Sequence, residues 1–123
     1  MNPTDDRAAL SRRFGAEMVR GIRELAREGY NANYFRQMLA THGPVEAARR
    51  LVLDPTPSEG LWRLQQMDRL DMSVEMWVQL PWYQPLFEPE VREQARKKLE
   101  ALRVDVPTEL ARLVGRLDPD GER

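Results

Sequence analysis

GYNANYFRQMLATHGPVEAARRLVLDPTPSEGLWRLQQMDRLDMSVEMWVQLPWYQPLFEPEVREQARKKLEAL, residues Gly29–Leu102, decides the fold. Short apolar patterns at helical spacing are cut at intervals by Gly29-Tyr30-Asn31, His42-Gly43-Pro44, Asp54-Pro55-Thr56-Pro57-Ser58, Asp71-Met72-Ser73 and the run from Pro81 through Pro89. Glycine closes a helix by accepting a left-handed backbone, and proline cannot continue one. Asn, Asp and Ser cap the next helix with a side-chain oxygen. Such punctuation specifies a series of short helices joined by short turns.

Outward toward the N-terminus, Leu10, Phe14, Met18, Ile22 and Leu25 recur at spacings of four, four, four and three, one stripe of a long first helix over about 4–28. Arg12, Arg13, Arg20, Arg23 and Arg27 fall mostly on the remaining surface. Gly15 and Gly21 each weaken a helix interior by roughly 1 kcal/mol relative to Ala, which marks a bend or the close approach of another backbone. Gly29 is expected in the left-handed position that ends this helix.

Asn31 is the expected cap of a second helix with Phe35, Met38 and Leu39 inward, and Pro44 opens a third with Val45, Ala48, Leu51 and Val52 inward. Ser58 and Glu59 start a fourth that runs through Leu61, Leu64 and Met67 to Leu70. Asp71 and Ser73 offer caps for a short fifth helix holding Val74, Trp77 and Val78, which Pro81 stops. Trp82-Tyr83-Gln84-Pro85-Leu86-Phe87 reads as a proline-stiffened aromatic loop. Pro89 opens a sixth helix with Val91, Ala95, Leu99 and Leu102, and Pro107-Thr108-Glu109 a seventh with Leu110, Leu113 and Val114. No two-residue alternation bounded by turns argues for a strand. The expected fold is all-α: a compact single domain over 1–117, with six to seven short helices after a long first one, and a frayed, disordered tail over 118–123.

Composition narrows the chemistry. A chain of 123 residues, 41% hydrophobic and 32% charged, suits one globular core. No apolar stretch is long enough to span a membrane, and the first residues carry neither a basic start nor an apolar signal core, so a cytoplasmic protein is expected. Without cysteine the chain makes no disulfide, thiolate zinc site, iron–sulfur cluster or cysteine nucleophile. Residues 1–70 carry 11 basic and 9 acidic side chains and residues 71–123 carry 8 and 11, which is not the field of a polyanion binder.

Catalytic groupings are sparse. His42 stands four residues before Glu46, a metal-ligand spacing on a continuous helix, but Gly43-Pro44 breaks the helix between them. Ser58 and Ser73 are accounted for as caps, and the acids are scattered. No cofactor, metal or catalytic residue is expected, and the chain is read as a non-enzyme.

Two kinds of binding surface are candidates. The first contacts another protein or a second copy through the loop Pro81 to Phe87, with Trp82, Tyr83 and Phe87 as contacts, or through the long first helix, because Trp and Tyr dominate binding hot spots. The second is a helix-turn-helix-like arrangement that docks on nucleic acid. There Arg49 and Arg50 contact phosphate while Arg63, Gln65 and Gln66 approach base edges. The connector Leu53-Asp54-Pro55-Thr56-Pro57 is longer than the tight turn of that motif.

The series Gly29-Tyr30-Asn31-Ala32, Phe35, Met38-Leu39, Gly43, Val45, Ala47-Ala48-Arg49, Leu51, Ser58, Gly60-Leu61, Leu64, Arg69-Leu70-Asp71-Met72-Ser73-Val74-Glu75 and Leu86-Phe87 resembles a widespread, uncharacterised bacterial helical domain over about residues 29–102. Arg69 through Glu75 is its most specific part. The chain departs from the pattern at Gly43-Pro44, where members read Gly-Gly, and at Leu102-Arg103-Val104, where they end in Gly-Tyr. The resemblance implies a bacterial or phage-related domain with these helix boundaries, and it carries no activity. Within the motif, Arg69 is expected to bond helix-terminal carbonyls or to pair with Glu75. The resulting expectation is a non-enzymatic helical module for protein binding or self-association, with a nucleic-acid-associated regulator as the alternative.

Overall fold

The computed structural model describes residues 3–56 and 59–117. Among them the chain forms α1 (Pro3–Arg27), α2 (Asn33–His42), α3 (Pro44–Leu53), α4 (Glu59–Gln66), a 3-10 helix (Leu70–Met72), α5 (Val74–Trp77), a second 3-10 helix (Pro81–Leu86), α6 (Pro89–Ala101) and α7 (Val106–Leu117), with no strand. The all-α expectation is met. The capping role given to Ser58 and the frayed tail over 118–123 lie outside the described residues.

One core holds the elements together. Phe14, Met18 and Ile22 from α1 meet Ala47, Ala48 and Val52 from α3, Val91, Ala95 and Leu99 from α6, and Val74 through Leu80 around α5. α3 lies at the centre, touching α1, α2, α5 and α6. Gly15 explains how closely α1 and α3 pack: a Cβ built there falls 3.0 Å from Cγ of Pro44 and 3.2 Å from its Cβ. At Gly21 the nearest atom is the terminal methyl of Met72, at 3.2 Å. At both glycines the close neighbour is a side chain and not the other backbone that the sequence reading expected.

Three helices end in the same way. After α1, Tyr30 N–H reaches the Leu25 carbonyl (2.9 Å) and Gly29 N–H the Ala26 carbonyl (3.1 Å), the double bond of a Schellman motif with Gly29 at φ +95°. Arg69 to Leu64 (2.8 Å) with Asp68 to Gln65 (3.0 Å), and Val104 to Leu99 (3.2 Å) with Arg103 to Glu100 (2.8 Å), repeat it. There the left-handed residues are Asp68 (φ 59°) and Arg103 (φ 66°). The fourth helix therefore stops at Gln66 instead of running to Leu70.

Several start signals also shift. α2 begins at Asn33 behind Ala32 with no side-chain cap, so Asn31 does not cap it. Ser73 caps α5 as expected: its hydroxyl accepts from Met76 N–H (3.1 Å) and donates to the Leu70 carbonyl (2.8 Å). Asp71 does not cap; its carboxylate takes Arg69 (3.2 Å) and Arg116 (2.8 Å). The last helix starts at Val106, and Asp105 accepts from the backbone N–H of Thr108 at 3.3 Å.

Candidate binding cleft

The predicted aromatic contact loop is not a loop, and most of its aromatic surface is turned inward. Pro81 and Pro85 hold φ near helical values, and the segment coils into the second 3-10 helix, with Tyr83 N–H on the Leu80 carbonyl (2.9 Å) and Phe87 N–H on Gln84 (3.1 Å). That turn drives Tyr83 (0% exposed), Leu86 and Phe87 inward. Phe14 receives both rings edge-on, at 5.0 Å from Tyr83 and 5.2 Å from Phe87. Trp82 is half-buried against Tyr83, 6.3 Å between centroids. The partner surface assigned to Trp82, Tyr83 and Phe87 is therefore corrected: two of the three are core.

The nucleic-acid candidates divide between tasks. Arg49 pairs with Glu88 across α3 and α6 (3.2 Å) and lies 3.8 Å from Glu46, while Arg50 bonds Glu46 at 2.8 Å. These bonds, Arg50's first, hold the Glu46 carboxyl below the usual carboxylate range. Gln65 donates to the Leu102 carbonyl (2.8 Å), pinning α4 to the end of α6. Gln66 and Arg63 are exposed. His42 is half-buried at the end of α2, and no group of three or more potential metal ligands forms among the described residues.

Arg69 takes neither of its expected partners, a helix-terminal carbonyl or Glu75. Its guanidinium joins Glu28, Asp71 (3.2 Å) and Glu24 (3.6 Å), locking the end of α1 to the first 3-10 helix, and Arg116 extends the chain of charges to α7. It does not pair with Glu75.

Glu75 lies elsewhere, 2% exposed at the floor of a cleft of about 830 Å³. α1 supplies Met18, Gly21, Ile22 and Leu25 to the wall, α2 and the turn before it supply Tyr30, Tyr34 and Phe35, and α4 supplies Leu61, Trp62, Arg63 and Leu64. The large exposed apolar side chains Trp62 (54%) and Tyr34 (65%) stand at the mouth. Gln79 donates to the Glu75 backbone carbonyl (2.9 Å). The carboxyl oxygen Oε2 is buried with no hydrogen-bond partner. Lys98 on α6 is close enough to act on the carboxyl electrostatically, yet its ammonium donates to the Leu51 carbonyl at 3.1 Å. Burial raises the Glu75 carboxyl pKa, against the opposing pull of its backbone bond and Lys98. Burial also raises the Tyr30 hydroxyl, with Arg63 pulling the other way.

Sequence reasoning missed this cleft. Glu75 follows a serine cap and reads as a first-turn acid of the kind the helix dipole favours on a solvent face. But α5 has no solvent face: Ser73 through Leu80 are buried without a break. The signal present in the sequence was Val74-Glu75-Met76-Trp77-Val78-Gln79-Leu80 itself, an apolar run in which Glu75 is the sole charge.

Comparison with family models, with curated proteins and with solved structures finds no match to the chain. The resemblance read from Arg69 through Glu75 thus stands without a matching family. Among the described residues no helix is long and apolar enough to cross a membrane.

Proposed function

We propose that the protein is a non-enzymatic helical binding module and that the cleft beneath Trp62 and Tyr34 takes in a segment of another protein. The observation that carries this reading is a half-exposed tryptophan and a two-thirds-exposed tyrosine at the mouth of a hollow lined by Met18, Ile22, Leu25 and Leu64. Contiguous apolar surface rimmed by polar groups is characteristic of interaction sites, and Trp and Tyr are the residues whose truncation most often weakens them. A non-catalytic role is supported by Glu75, whose Oε2 makes no hydrogen bond to any side chain of the fold and so belongs to no hydrogen-bonded acid–base pair.

The nucleic-acid alternative has less support, because Arg49 and Arg50 are already engaged with Glu46 and Glu88 and a phosphate would have to displace those carboxylates. Affinity capture from the native host, identification of the partner and titration with that partner purified test the proposal. Trp62→Ala is expected to weaken the complex at least roughly tenfold, the effect of losing a hot-spot residue, and Trp82→Ala to leave it within about threefold. The reverse order refutes the cleft as the surface.

A further inference from the structure

Glu75 is the one buried carboxylic acid among the described residues, and its Oε2 has no hydrogen-bond partner in the fold. An unpartnered buried acceptor destabilises a fold, so its presence at the floor of an open cleft points to a group supplied from outside. Three further observations identify that group. The cleft wall carries four carboxyl side chains, Glu17, Asp54, Glu59 and Glu75, against two bases, Arg63 and Lys98, and Lys98 is turned to the Leu51 carbonyl. Five aromatic rings, Tyr30, Tyr34, Phe35, Trp62 and Trp77, line the same space, and ring faces attract cations. Finally, Oε2 is the one oxygen of Glu75 that is buried without a hydrogen-bond partner. A guanidinium fork needs two acceptors for its bidentate grip, whereas an ammonium is a compact point charge satisfied by one.

Resting on the cleft reading above, we propose that the bound segment is anchored by a lysine flanked by apolar residues, its stem lying among the aromatic rings and its ammonium donating to Oε2 of Glu75. The apolar stem suits the aliphatic wall, and the volume of about 830 Å³ leaves room for neighbouring side chains beside it. A second copy of this chain is a poor source. Its two lysines both lie on α6, where Lys98 serves its own fold and Lys97 sits between Arg96 and Lys98.

The test uses the full chain, isotopically labelled, with nuclear magnetic resonance shifts of the Trp62 and Trp77 indoles as readout. Three probes are titrated: a blocked peptide Ala-Leu-Lys-Leu-Ala, the same peptide with norleucine replacing lysine, and n-hexylamine. The lysine peptide is expected to bind roughly tenfold more tightly than the norleucine peptide, the effect of one charge-assisted hydrogen bond, and that advantage is expected to vanish in Glu75→Gln. Equal binding of the two peptides to the native protein overturns the lysine anchor, and this comparison needs no variant. A lysine preference that persists in Glu75→Gln overturns the role of Glu75. n-Hexylamine binding as tightly as the lysine peptide overturns the protein segment in favour of a free amine. Norleucine-peptide shifts confined to the cleft, without lysine preference, reject the anchor and leave the cleft reading standing; no cleft shift with either peptide rejects both.

Discussion

Replacing Glu75 with methionine should make this protein more stable, and increasingly so as pH rises. The side chain is 2% exposed and Oε2 has no partner, so the native protein carries an unsatisfied polar atom that costs about 1–3 kcal/mol. Methionine has nearly the same length and adapts to irregular space, which keeps the repacking cost under about 1.5 kcal/mol. The net gain at low pH is therefore on the order of 1 kcal/mol. The pH dependence has a definite sign. Burial raises the Glu75 pKa, so the folded protein holds the carboxyl proton more tightly than the unfolded chain does. The native protein is thus most stable below the unfolded value of about 4.3 and loses stability as pH climbs from there toward the folded value. The loss proceeds at up to about 1.4 kcal/mol per pH unit in that window and is absent from the methionine variant. Urea unfolding followed by far-ultraviolet circular dichroism, on both proteins near pH 4 and near pH 7, measures the gap. A methionine variant less stable than the native protein at both values, or a gap that does not grow with pH, refutes the reasoning.

Other substitutions probe the packing. Gly15→Ala and Gly21→Ala are the same change in the same helix, each gaining roughly 1 kcal/mol of helix propensity. Gly15→Ala must also displace the rigid Pro44 ring, an overpacking cost of about 1–3 kcal/mol, whereas Gly21→Ala meets only the flexible end of Met72. The first should be no more stable than the native protein and the second more stable, by thermal melting. Tyr83→Ala is expected to destabilise by about 3–5 kcal/mol, as for a fully buried ring, and Trp62→Ala by no more than about 0.5 kcal/mol; similar losses in a denaturant titration contradict the reassignment of the aromatic surface. Asp68→Gly should stabilise by roughly 1 kcal/mol, because Asp68 occupies a left-handed position that glycine adopts without strain.

The seven α-helices among the described residues and their order were legible because they rest on strong punctuation, whereas the two 3-10 helices were not. Pro44, Pro81 and Pro89 leave little choice, and the stripe from Leu10 to Leu25 has a clear period. Boundaries failed where a weaker residue took a strong residue's place: Asp68 and Arg103 close helices by the bonding pattern that Gly29 announces, but neither carries glycine's signature. The aromatic segment misled for a related reason. Two prolines so close together read as a stiff loop, yet at Pro81 and Pro85 they fit a 3-10 turn, and Phe14, about 70 residues earlier, provides the partner ring. The cleft was illegible for the opposite reason, since its walls come from α1, α2, α4 and α5 and no local pattern brings Trp62, Tyr34 and Glu75 together. Only the isolation of Glu75 within an apolar run hinted at it.

On the proposed reading, a partner binds at the mouth of this cleft and not at the second 3-10 helix. A photo-crosslinking amino acid placed at Tyr34 in one protein and at exposed Gln84 in another, irradiated in the native host, tests it directly. Adducts identified by mass spectrometry should form from position 34, disappear when Trp62→Ala is added, and be absent from position 84. Adducts from position 84 with none from position 34 would contradict the account.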